Sequence, residues 1–178
     1  MPWIQNISLS NIKTGIHINP GENAMLIQIS DPPGNFPTSL YKFKETYQFQ
    51  FLDVEKRDQV DNEAMRCSHE QATELVQILQ HAMINQMNVI VHCHAGVCRS
   101  GAVCEIGVML GFDDTGVFRS PNLLVKHRMM KALGWTYDSK ELPTINGKPL
   151  DKEWVDSNER WTTLAQARRE HRLTKSDY

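Results

Sequence analysis

"VIVHCHAGVCRSG", residues 89–101, sets a cysteine between two histidines and follows it with an arginine and two glycines, all within thirteen positions. Residues 89–92 open with a β-branched run that favours a strand. The next stretch is polar and glycine-bearing, the composition of a tight turn. "SGAVCEIGVML" (100–110) then reads as apolar nearly all round and stops at Gly111, which predicts a buried helix. A strand–turn–helix junction aims several backbone N–H groups at one point, and the helix N-terminus adds about half a unit of positive charge. Gly96 allows the backbone close to a ligand, and Gly101 allows tight packing at the helix start. Arg99 carries a planar fork that matches two oxygens of a phosphoryl group. The stretch therefore reads as a phosphate cradle with Cys93 at its base, placed to attack. Settings of this kind lower a thiol pKa from about 8.5 to roughly 3.5–7.5.

Outward from the cradle, "MLIQIS" (25–30) predicts a buried strand closed by the turn signal "DPPGN". "TYQFQFLDV" (46–54) alternates Tyr47, Phe49 and Phe51 with Gln48 and Gln50, a half-buried strand whose aromatics belong to the core. "EKRDQVDNE" (55–63) reads as a solvent-facing loop. Ser68 and Gln71 have capping-box spacing, and Ala72, Leu75, Val76, Leu79 and Met83 form one apolar stripe behind them. A further helix is expected to start with Ser120 as N-cap and Pro121 in the first turn, and to stop before Gly134. Residues 135–178 are more polar, and a terminal helix packed by Trp154 and Trp161 is expected there, with a frayed tail.

Strands interleaved with helices predict one α/β domain: a short central, mainly parallel sheet flanked by helices, plus a C-terminal helix. Residues 1–134 form the expected catalytic core and 135–178 an extension packed on it. The cradle falls at a strand's carboxyl end, where open α/β sheets bind ligands.

Composition narrows the partners. The 178 residues suit one domain with a real core, and 40% hydrophobic with 22% charged content is ordinary for a globular protein. A formal net charge of −2 offers no field for nucleic acid or an anionic membrane. Apolar runs fall short of the roughly 20 residues a membrane span needs, and the start lacks a signal-peptide pattern. Cys67, Cys93, Cys98 and Cys104 show no disulfide-scaffold spacing, so reduced thiols and a cytoplasmic location are expected.

"HCHAGVCRS" resembles the signature of the cysteine-dependent protein tyrosine phosphatases: His-Cys, five residues, Arg, then Ser or Thr. The Ala95-Gly96 pair and short chain resemble the compact dual-specificity branch of bacterial and phage type. The resemblance spans about residues 25–133. It implies that Cys93 is the nucleophile of a phosphocysteine intermediate. It also implies that the amides of His94, Ala95, Gly96, Val97, Cys98 and Arg99, with the Arg99 guanidinium, hold the equatorial oxygens. Ser100 would donate to the Cys93 sulfur, and His92 would support the loop without carrying a proton. The family also uses an aspartate general acid on a loop before the cysteine. "FLD" (51–53) favours Asp53, with Asp58 and Asp61 as alternatives, and Asn122 would orient water or the loop. No cofactor and no metal are implied. The expected substrate is a phosphorylated protein or peptide, through phosphotyrosine and phosphoserine/threonine.

Other readings compete with this one. His92, Cys93, His94 and Cys98 are potential zinc ligands, but neighbours on a strand point to opposite faces. A pseudophosphatase that binds phosphoproteins without turnover is a second alternative. Phosphatases of RNA 5′ ends and of phosphoinositides are others; "CHAGVCR" has none of the lysines common in the lipid enzymes. Cys98 and Cys104 are candidates for a protective disulfide with Cys93, and His94 is expected at the pocket rim.

Overall fold

β-branched runs form the centre of this chain. In the computed structural model, which describes residues 1–55, 65–134, 144–145 and 148–149, "NVIVHC" is the strand Asn88–Cys93 (β4). The order along the chain is β1 (Trp3–Ser8), α1 (Leu9–Thr14), β2 (Ala24–Ser30), β3 (Glu45–Gln50), α2 (His69–Ile84), β4, α3 (Arg99–Leu110), β5 (Asp113–Asp114), α4 (Leu123–Ala132), β6 (Thr144–Ile145) and β7 (Lys148–Pro149). The sheet runs β3-β2-β4-β1-β5, and each of its pairings is parallel. A single α/β domain built on a parallel sheet is the fold. β6 and β7 form a separate antiparallel pair.

Strand alternation sorts the core into two layers. On one face Val89, Val91 and Cys93 of β4 join Met25, Ile27 and Ile29 of β2 against α2, α3 and α4. On the other, Ile90 and Leu26 pack with Ile12 of α1. Both faces are covered, as parallel sheets require. β3 lies at the edge and is half-buried, with Phe49 and then Phe51 turned into the core.

Helix α2 starts where its cap predicts: Gln71 N–H donates to Ser68 Oγ and Ser68 N–H to Gln71 Oε1, both at 3.0 Å. Helix α3 is buried along most of its length, and Gly111 closes it at φ 114°. Two expectations need correction. The strand over 46–54 ends at Gln50: Phe51 N–H makes a last bond to Ser30 O, and Leu52 N–H then turns to Met65 O at 2.8 Å, away from the sheet. The last described helix is capped by Asn122, not Ser120; Ser120 N–H is held by Val97 O, so the chain stays extended for two more residues. The expected terminal helix, most of the 55–63 loop, and Asp58 and Asp61 lie outside the described residues. Among the described residues no helix is long and apolar enough to cross a membrane.

Candidate active site

The turn between β4 and α3 is tied down by its carbonyls. Leu9 N–H donates to His94 O at 3.1 Å, Asn6 Nδ2 to Gly96 O at 2.7 Å, Ser120 N–H to Val97 O at 3.3 Å and Asn122 N–H to Cys98 O at 2.9 Å. In a trans peptide the carbonyl of one residue and the N–H of the next point in opposite directions. Anchoring these four carbonyls outward therefore turns the amides of Ala95, Val97, Cys98 and Arg99 inward. Cys98, the N-cap of α3, makes no side-chain cap bond, so the first turn keeps its N–H groups available for a ligand.

Gly96 is required by contact as well as by conformation. Its φ is 74°, and a Cβ there would lie 2.3 Å from the backbone of Ile7 and Ser8. The turn rests directly on the β1–α1 junction. At Gly101 a Cβ would lie 2.9 Å from Arg119 Cβ, a tight approach of the kind the sequence predicts.

Cys93 is fully buried at the base of the turn, and its Sγ lies 3.2 Å from Ser100 Oγ. Its neighbour His92 faces the opposite side of the sheet. Burial pushes the His92 pKa down to about 4, the Cys93 backbone opposes this only in part, and the Arg99 charge adds to it. Neither ring nitrogen has a hydrogen bond of ordinary geometry among the described residues. The ring is neutral at physiological pH.

The other thiols are held as thiols. Burial raises Cys98 to about 11, with the Asp53 carboxylate adding to the shift. Burial raises Cys67 to about 12 and Cys104 further in the same direction. Such groups are slow to react as thiolates.

Arg99, 3% exposed, donates through Nη1 to Asp31 Oδ1 at 2.6 Å and to Phe51 O at 2.7 Å. Asp53 follows β3 at the same rim. It is exposed, accepts from Asn122 Nδ2 at 2.8 Å, and its carboxyl group lies near enough to the Cys98 thiol to raise that thiol's pKa. Asn122 is fully buried; its Nδ2 also reaches Val54 O at 3.3 Å, while its Oδ1 accepts from Val125 N–H at 3.1 Å. His94 is exposed and lines a cleft of about 480 Å³ between α1 and the 31–37 turn. The structure thus gathers Cys93, Ser100, Arg99, Asp53 and Asn122 at one end of the sheet. Among the described residues no group of three His, Cys, Asp or Glu side chains has the spacing of a metal site.

Sequence reasoning missed two residues here. Asn6 anchors the turn from β1, and Asp31 pairs with Arg99 from a stretch read only as a strand-ending turn.

Solved structures similar to this chain bear on its fold. The human tyrosine phosphatase-like serine/threonine/tyrosine-interacting protein superposes with a TM-score of 0.52 at 15% identity, over 75% of this chain and 93% of that one. The fold is phosphatase-like. OH1 from the Orf virus, described as a tyrosine phosphatase with triple substrate specificity, matches at 18% identity and TM-score 0.41, over 62% of this chain and 57% of that one. Tk-PTP in its active form matches at 14% identity and TM-score 0.40, over 92% and 90%. No protein-family model and no curated protein matches the chain.

Proposed function

We propose that this protein hydrolyses phosphomonoesters through a phosphocysteine intermediate, acting on phosphotyrosine and phosphoserine/threonine in proteins or peptides. The observation that carries this reading is the buried Cys93 sulfur, 3.2 Å from Ser100 Oγ, inside a turn whose carbonyls are anchored outward and whose helix begins with Arg99. The phosphatase-like fold supports it.

The Cys93 thiolate attacks phosphorus in line with the ester oxygen. The S–P bond forms, the P–O bond breaks, and the departing oxygen takes the Asp53 proton. Inward amides and the Arg99 guanidinium stabilise the charge on the equatorial oxygens as it redistributes. In the second step Asp53, now a carboxylate, accepts a proton from water as that water attacks phosphorus. The S–P bond breaks, phosphate leaves, and the Ser100 hydroxyl donates to the returning sulfur anion. His92, neutral and beneath the turn, takes no part in proton transfer.

Turnover of an aryl phosphate by the wild type, abolished in Cys93→Ser while tungstate still binds, is the expected result. Full activity in Cys93→Ser removes the reading. The human neighbour, a phosphatase-like interacting protein, keeps a second reading in view, phosphoprotein binding without hydrolysis. Tungstate binding with no turnover by the wild type would select it.

A further inference from the structure

Among the described residues, Arg99 uses only one of its three nitrogens. Nη1 is shared between the Asp31 carboxylate at 2.6 Å and the Phe51 carbonyl at 2.7 Å. Nε is buried without a partner, and among the described residues Nη2 makes no hydrogen bond either. Nη1 lies on the Cδ side of the guanidinium plane. Engaging it leaves the opposite edge, where Nε–H and one Nη2–H run parallel, the pair that meets two oxygens of an oxyanion bidentately. A buried N–H with no acceptor is costly, so this edge is poised for a ligand.

Asp31 reaches Arg99 from outside. Its side chain is 58% exposed, against 3% for Arg99, and it belongs to the turn after β2, the strand beside β4. The turn 93–99 itself contains no carboxylate to orient the arginine. We infer that Asp31 is the positioning residue of the phosphate site: with the Phe51 carbonyl, it clamps Nη1 so that the Nε–Nη2 edge is presented to the phosphoryl group. This rests on the proposed phosphatase reading and extends it to a residue in a separate loop.

The test uses the full chain as wild type, Asp31→Ala and Asp31→Asn, with tungstate affinity from calorimetry, aryl phosphate kinetics across pH, and Tm. Asp31→Ala is expected to weaken tungstate binding and lower kcat/KM by about 10- to 100-fold, the range for a lost hydrogen bond to a charged group. Asp31→Asn keeps an acceptor without the charge and is expected to fall between. Both should fold, since the carboxylate is largely exposed and the turn's Gly34 N–H to Asp31 O bond, 2.7 Å, is a backbone contact. Both should also keep the decline of kcat at high pH that a separate general acid produces. Unchanged tungstate affinity in Asp31→Ala overturns the inference. Loss of the alkaline limb also overturns it, because Asp31 would then be the acid. If the wild type itself neither binds tungstate nor turns over, the phosphatase reading falls and takes this inference with it. Wild-type activity matched by the Asp31 variants removes this inference alone.

Discussion

Asn122 holds Asp53 with one end of its amide and helix α4 with the other: Nδ2 donates to Asp53 Oδ1 at 2.8 Å, and Oδ1 accepts from Val125 N–H at 3.1 Å. A single side chain thereby couples the placement of the candidate acid to the start of a core helix. Asn122→Ala should cost about 0.5–2 kcal/mol through the lost cap and should also lower kcat by releasing Asp53. Asn122→Ser can still cap but cannot reach Asp53. Denaturation curves for this variant should recover part of the loss while kcat stays low; a parallel recovery of both would separate Asn122 from the acid.

Ser100 Oγ lies 3.2 Å from the Cys93 sulfur, and in the proposed mechanism its hydroxyl stabilises that sulfur as it leaves phosphorus. Ser100→Ala should slow breakdown of the phosphoenzyme by about 10- to 100-fold, the range expected when a hydrogen bond to an ionised group is lost, with a smaller effect on its formation. Rapid-mixing kinetics with an aryl phosphate should then show a burst followed by a slow steady state. Equal slowing of both phases would count against this role.

Gly96 has no room for a side chain. Gly96→Ala puts a Cβ 2.3 Å from the Ile7 and Ser8 backbone at a φ of 74°. Left-handed backbone strain alone costs about 1–3 kcal/mol, and the clash must also push the turn off β1. The expected result is a lower denaturation midpoint together with lost tungstate affinity. Wild-type values of both would show that the turn can shift without consequence.

His92 makes stability depend on pH. Its pKa is about 4 in the folded protein against the ordinary 6.5, so between these values the unfolded chain binds more protons. The contribution is fully present above about pH 6.5 and is lost as pH falls toward 4, by up to about 1.4 kcal/mol per pH unit. Urea midpoints between pH 4 and 7.5 should fall with acid. A folded His92→Gln variant should show a shallower fall.

Much of this site was legible because its signals are local. The run of residues 88–93 fixes a central strand on its own, and the Ser68–Gln71 box places α2 without help from the rest of the chain. Cys93, Arg99 and Ser100 fall within eight positions of one another, so their grouping follows from one turn. The misses have distant partners. "WIQNIS" mixes polar and apolar residues because Asn6 is spent on Gly96 O, 90 positions away, and β1 has no simple alternation as a result. "DPPGN" looks like punctuation until Asp31 meets Arg99 across 68 positions. Ser120-Pro121 fits the usual helix entry, yet a tertiary bond from Ser120 N–H to Val97 O delays the helix to Leu123.

The parallel sheet delivers its chemistry from the ends of separate strands, and the bonds that join Arg99 and Asn122 to the other loops span 48 to 69 positions. Closing such distant segments is the slow part of folding. The proposed turnover would thereby report finished assembly: during refolding, helical circular dichroism should return first, and hydrolysis only when the strands have found their order.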